Sequence, residues 1–260
     1  MIEKSIQHYL QKHGFESMSL KAVLFDMDGV LYNSMPHHAI AWHESMKEYG
    51  IEMPYSDAYR YEGMRGVETI KLLAREQLHK ELTHEEAQKM YDTKSAHFAA
   101  LGPAEKMEGV EELMHQIKAS GLIIGVVTGS GQLTLLNNLC ESFHGLLRPE
   151  YIVTSFDVSH GKPAPDPYLM GLRKCGVQPW EAMVVENAPL GVRAAVSARI
   201  FTVAVNTGPL PDQILADEGA DLVFKKMTDL SDCWDSIFNS QFTIHNSQYT
   251  IDNSQFTIDN

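Results

Sequence analysis

The stretch Lys21-Ala22-Val23-Leu24-Phe25-Asp26-Met27-Asp28-Gly29-Val30 decides how this chain folds. An apolar run ends abruptly in two aspartates separated by one residue, and a glycine follows. A short apolar run closed by a turn residue reads as a buried strand. Such a strand delivers both carboxylates to its C-terminal end, where open α/β sheets bind their ligands. Two neighbouring carboxylates can divide labour, one attacking an electrophile while the other moves a proton. A calcium loop is excluded. Counted from Asp26, the positions that need glycine and the twelfth-position glutamate hold Leu31 and His37.

Working outward, apolar and β-branched runs recur at Val23–Phe25, Leu122–Val127, Tyr151–Val153, Met183–Val185, Phe201–Val205 and Ala220–Phe224. Helical patterns separate most of them; Val110, Leu113, Met114 and Ile117 mark one face of a helix that stops before Gly121. Alternating strands and helices predict an α/β fold, a Rossmann-like parallel sheet covered on both faces. Between Ser34 and Gly102 no strand pattern occurs. One helix is expected from Pro36 to before Gly50, and another opens with the capping-box pair Thr83 and Glu86. The expected organisation is a catalytic core of residues 1–33 and 103–238, with an inserted all-helical cap of residues 34–102 over the sheet's C-terminal edge.

Residues 239–260 differ in kind. Asn239–His245, Asn246–Asp252 and Asn253–Asp259 are near-copies of one seven-residue unit. Phe242 and Ile244, like Tyr249 and Ile251, are two apart and fall on opposite sides of a helix, so the period does not make a coiled coil. Three such units are too short for an independent core. They read as translated repetitive DNA appended to the domain, without function.

At 260 residues and 44% hydrophobic, the chain can fill one good core and a second small one. No window approaches the roughly 18 to 20 apolar residues of a membrane span, and the polar start (Glu3, Lys4, Gln7, His8) lacks a signal-peptide pattern. Cys140, Cys175 and Cys233 are odd in number and widely spaced, which suits a reducing cytoplasm. A net charge of −13 argues against nucleic acid and anionic membranes as partners. It also means that an anionic substrate needs local cations or a metal. A monomer is expected.

Three further strand ends carry chemistry. Val126-Val127-Thr128-Gly129-Ser130-Gly131 can present a hydroxyl and backbone amides to a phosphate, or simply cap a helix. Thr134 excludes a dinucleotide fingerprint, and Thr128 itself excludes a serine-hydrolase elbow. Gly161-Lys162-Pro163-Ala164-Pro165-Asp166-Pro167 holds a lysine in a stiff loop able to aim its ammonium. Val184-Val185-Glu186-Asn187-Ala188-Pro189 ends in an acid and an amide, which can be helix caps or oxygen ligands for a hard cation. A zinc site of His37, His38 and His43 lacks a Cys or carboxylate to complete it.

These four signals, in this order, resemble the haloacid dehalogenase superfamily, and within it the β-phosphoglucomutase-like group with a helical cap. The resemblance spans roughly residues 20 to 235. It implies that Asp26 forms an aspartyl-phosphate and that Asp28 is the general acid/base. It further implies that Thr128, Gly129, Ser130 and Lys162 hold the transferring phosphoryl group. Mg2+ would be bound by the Asp26 carboxylate, the Asp28 carbonyl and Asn187, with Glu186 in support. Such chemistry needs charge stabilisation on three equatorial oxygens. At Asn187 the family more often has aspartate, so weaker metal binding is expected.

His38 and Trp42 match cap-hinge positions of the sugar-phosphate mutases. The arginine with which those enzymes grip a second phosphate is replaced by Gly66, the adjacent Arg65 could substitute for it with a different geometry, and Glu62 stands where a cation is common. A carboxylate about 4 Å from a second phosphate opposes it by up to about 4 kcal/mol at an effective dielectric near 20. A bridging metal would reverse the sign. The expected function is a Mg2+-dependent phosphohydrolase of a small phosphorylated metabolite, inorganic pyrophosphate included. β-Phosphoglucomutase is the alternative enzyme, and a phosphometabolite binder without turnover is the alternative of another class.

Overall fold

The structure, a computed structural model, describes residues 2–129 and 139–241. Ser130, and residues 242–260 of the repetitive tail, lie outside the described residues. Among the described residues six strands form one sheet: β1 (Ala22–Phe25), β2 (Ile123–Val127), β3 (Ile152–Val153), β4 (Ala182–Glu186), β5 (Phe201–Val205) and β6 (Leu222–Phe224). Their order is β3-β2-β1-β4-β5-β6, and every neighbouring pair is parallel. The last strand is shorter than its apolar run, which begins at Ala220.

The two-residue period of a strand explains why both faces are covered. Val23 and Phe25 point to one side and pack with Val126, Val185 and Phe201. Ala22 and Leu24 point to the other and pack with Val127 and Val184. The first face is covered by α1 (Ile2–His13), α6 (Val110–Ala119), α10 (Met227–Asp232) and α11 (Trp234–Ser240). The second is covered by α7 (Asp166–Cys175) and α8 (Pro189–Ser197). A short α9 (Asp212–Asp217) precedes β6.

Register positions the functional edge. Phe25 lies opposite Val126 on one side and Val185 on the other, so β1, β2 and β4 end level with one another. Asp26, Thr128 and Glu186 therefore emerge together. The strand order reverses between β1 and β4, the crevice where such sheets bind ligands.

Between β1 and α6 the chain forms four helices: α2 (Met35–Glu48), α3 (Tyr55–Arg60), α4 (Gly66–Leu78) and α5 (His84–Ala100). Pro36 sits in the first turn of α2. Thr83 caps α5, accepting from the Glu86 amide while Glu86 accepts from the Thr83 amide. These helices enclose an apolar cluster of their own that includes Trp42, Met46, Ile70, Leu73 and Met90.

Two terminal elements add to the sequence reading. The polar start is an amphipathic helix: Glu3, Lys4, Gln7 and His8 are its exposed side, and Ile6, Tyr9 and Leu10 are wholly buried. At the other end, α11 runs through Ser240, past the 238 boundary drawn from the repeat. Gln241 is buried, and its side chain accepts from the Leu20 amide. Among the described residues no helix is long and apolar enough to cross a membrane.

Candidate active site

A cavity of ≈ 380 Å³ separates the sheet edge from the four-helix layer, and Asp26, Asp28, Glu62, Lys94, Lys162 and Glu186 all line it. Gly129 and Trp42 line it too.

Lys162 is the hub of the sheet-side groups. Its ammonium donates to Asp26 Oδ1, to Glu186 Oε1 at 2.6 Å and to the Val127 carbonyl at 3.2 Å, which uses all three of its protons. Glu186 Oε1 also accepts from the Tyr168 hydroxyl at 2.8 Å, and Oε2 accepts from the amides of Asn187 and Ala188 at 2.9 and 3.0 Å. Four hydrogen bonds fill its acceptor sites. Glu186 is thus committed to holding Lys162 and the turn after β4, where the sequence reading had it supporting a metal. Burial, with Glu186 and Asp28 adding to it and Lys162 opposing, raises the Asp26 carboxyl to about 7.

A second chain of contacts reaches Asp28. Its Oδ1 accepts from Ser34 Oγ at 2.6 Å and lies 3.2 Å from His38 Nε2. The other ring nitrogen of His38 is 2.7 Å from Lys94 Nζ. A donating ammonium makes Nδ1 the acceptor, so Nε2 carries the proton and donates to Asp28. Burial alone would raise Asp28; contact with His38, then Ser34 and Lys94, outweighs it and holds the carboxyl at about 2. Burial, then the Lys94 charge, lowers His38. Burial, opposed by Asp28, lowers Lys94 to about 8.

Sequence reading missed Lys94. It is 3% exposed, with its ammonium 5.3 Å from the Trp42 ring, 5.9 Å from Tyr91 and 4.9 Å from Phe98. The available signal was Tyr91, Lys94 and Phe98 on one face of α5 at helical spacing. Tyr168 and Ser34 were also missed, and a lone hydroxyl next to a helix start carries no distinguishing pattern.

The helical layer contributes Glu62, whose carboxylate oxygens accept from Asn187 Nδ2 at 3.1 and 3.0 Å. Burial first, then Asp26 and Glu186, push Glu62 well above the usual carboxylate range. Gly29, at φ +77°, is obligatory beside this pair, because a Cβ there would lie 2.1 Å from Asn187 Nδ2. Asn187 Oδ1 is buried without a hydrogen-bond partner. An unpaired buried carbonyl oxygen among carboxylates is what a hard divalent cation would satisfy. Charge agrees: Asp26, Asp28, Glu62 and Glu186 face Lys94 and Lys162, leaving two negative charges in excess when all are ionised. Among the described residues, no three His, Cys, Asp or Glu side chains form a metal cluster, His37, His38 and His43 included. A cation here would therefore rely on amide and backbone oxygens as well as Asp26 and Glu62.

Thr128 stands at the strand end where it was expected, and Arg65 sits differently. Thr128 is buried at the end of β2, its amide donating to the Val153 carbonyl at 3.0 Å. Arg65 turns away from the cavity, Nη2 donating to the Ser155 and Val158 carbonyls at 3.3 and 2.7 Å, and so does not replace the missing phosphate grip.

Comparison with known proteins fits this arrangement. Residues 20–199 match the haloacid dehalogenase-like hydrolase family. The chain is 31% identical over 197 residues to hexitol phosphatase A of Escherichia coli (strain K12), covering 73% of this chain and 84% of that protein. It is 27% identical over 220 residues to beta-phosphoglucomutase of Bacillus subtilis (strain 168), covering 82% and 92%. A solved Bacteroides vulgatus protein, described as a "Putative beta-phosphoglucomutase", superposes with a TM-score of 0.89 at 47% identity, over 93% of this chain and 98% of that one.

Proposed function

The chain belongs to the haloacid dehalogenase-like hydrolases, and we propose that within this family it is a Mg2+-dependent phosphohydrolase of a small, metal-chelated phosphate compound, inorganic pyrophosphate being the best fit. The observation that carries this reading is Glu62, held by Asn187 inside the cavity where a sugar bisphosphate would need a cation.

Asp26 attacks phosphorus in line, and the bond from phosphorus to the leaving oxygen breaks. Lys162, fixed by Glu186, offsets charge on the phosphoryl oxygens. Asp28, ionised at rest, takes a proton from His38 Nε2 and passes it to the leaving oxygen, while Lys94 replaces that proton at His38 Nδ1. Water then attacks the aspartyl-phosphate, losing its proton to Asp28 and freeing Asp26 and phosphate. Asp26, the Asp28 carbonyl, Asn187 Oδ1 and Glu62 would hold Mg2+, which supplies positive charge between the carboxylates and the substrate oxygens.

β-Phosphoglucomutase is the second reading, favoured by the likeness to the Bacteroides vulgatus and Bacillus subtilis proteins. Phosphate release from pyrophosphate and from sugar phosphates, measured with Mg2+ beside conversion of β-glucose 1-phosphate to glucose 6-phosphate, separates the two. Glu62→Ala should depress kcat/KM for pyrophosphate far more than for a monophosphate ester, and Asp26→Asn should abolish both. Mutase turnover that outruns phosphate release, with Glu62→Ala unimpaired, overturns the proposal.

A further inference from the structure

The geometry points to Arg65 as a positioning residue that locks the loop carrying Lys162 when the four-helix layer seats on the sheet edge, and so favours small substrates. The inference rests on the phosphohydrolase reading only in using phosphate release as one of its two readouts.

The layer and the sheet have separate apolar cores, and over the cavity they meet through polar contacts: the His38–Asp28 pair and a short seam. Glu62, Gly63 and Arg65, just before α4, make that seam. Glu62 bonds Asn187. Gly63 lies over the stem of Lys162, where an added Cβ would come within 3.2 Å of the lysine Cδ. Arg65 reaches past the lysine to its loop.

That loop, residues 154–165 between β3 and α7, is anchored on the sheet side at Lys162 and again at Asp157. Asp157 accepts from the Thr154 amide and hydroxyl and from Lys174 at 2.7 Å. Arg65 supplies the opposing anchor. One guanidinium nitrogen bridges two carbonyls, those of Ser155 and Val158, on either side of Asp157. The arginine stem crosses Gly161, the residue before Lys162, so closely that a Cβ there would sit 3.1 Å from Arg65 Cγ. The segment between Asp157 and Lys162 is therefore clamped from both bodies.

Two consequences follow for the reaction. Seating the layer adds to the hold that Asp26, Glu186 and the Val127 carbonyl give Lys162, because the same three-residue seam touches its stem and its loop. A substrate too large for the seated layer loses that added hold, and a misplacement near 1 Å can cost about 10²-fold in rate.

The test uses the full chain and the variants Arg65→Ala, Arg65→Lys and Gly161→Ala. Hydrogen exchange without substrate should show faster exchange at residues 154–162 in Arg65→Ala and in Gly161→Ala, with Arg65→Lys intermediate and melting temperatures unchanged. With pyrophosphate, Arg65→Ala should lower kcat by about tenfold or more at little change in KM. With phenyl phosphate, as a bulkier probe, the loss should be much smaller. The double variant Arg65→Ala/Gly161→Ala should be no worse than Arg65→Ala alone, because both break one clamp. Exchange unaltered in both single variants overturns the inference whatever the substrate proves to be. A raised KM with kcat intact also overturns it, since Arg65 would then be gripping substrate directly.

Discussion

Asn187 donates its side-chain amide to both oxygens of the Glu62 carboxylate, at 3.1 and 3.0 Å, and joins the sheet to the helical layer across 125 positions of sequence. With its nitrogen so engaged, the amide leaves its oxygen buried without a hydrogen-bond partner. One residue thus bridges the two sides of the cavity and, in the proposed function, would also serve as a cation ligand.

Asn187→Asp separates these two roles. The change adds an anionic ligand but sets two carboxylates about 3 Å apart, opposing each other by up to about 5 kcal/mol at an effective dielectric near 20 unless a cation lies between them. Titrating Mg2+ against phosphate release should give half-maximal rate at a lower Mg2+ concentration than wild type. Without Mg2+ the variant should melt lower. An equal or weaker metal dependence would remove Asn187 from the coordination shell.

Lys94 sets an alkaline limit. Its ammonium, lowered to about 8 by burial, is charged at neutral pH and is lost as pH rises through that value. Deprotonation removes the charge that fixes the His38 tautomer and with it the contact to Asp28. Profiles of kcat/KM from roughly pH 6 to 10 at saturating Mg2+ should therefore fall above about 8. Lys94→Met should lose this limb and roughly 10²-fold or more of the rate, as expected for a disabled proton-transfer group. Lys94→Arg should move the limb upward. A Met variant that keeps the limb would show that another group sets it.

The end of the folded unit can be located by truncation. Ending the chain after Gln241 should leave the melting temperature unchanged. Ending it after Phe238 removes the last turn of α11 and leaves the buried Leu20 amide without its acceptor, a cost of about 1–3 kcal/mol. At this chain size that corresponds to a fall of roughly 2–4 °C per kcal/mol. Equal melting of the two truncations would dismiss the Gln241 contact.

The strands and their functional ends were legible because the signal is local. Each is an apolar run whose closing turn is itself the chemical group: Asp26 after Phe25, Thr128 after Val127, Glu186 and Asn187 after Val185. In a parallel sheet all such ends fall on one edge, so order along the chain becomes proximity in space. The Thr83 and Glu86 cap was readable for the same reason, since both partners lie within one turn.

Direction and partnership across the cavity were decided only by tertiary packing. The polar residues of the first helix hid its buried face, Ile6, Tyr9 and Leu10, because half of an amphipathic helix is always solvent-like. Arg65 is adjacent in sequence to the position of a phosphate grip, yet the turn before α4 sends its guanidinium to the Lys162 loop. Lys94 is one lysine among many until α2 and α5 pack and place it between three aromatic rings and His38, 56 residues away. Sequence alone determined which groups stand on the sheet edge, through strand periodicity and turn chemistry. What faces them is fixed by how a second apolar core seats on that edge, and no local pattern encodes that contact.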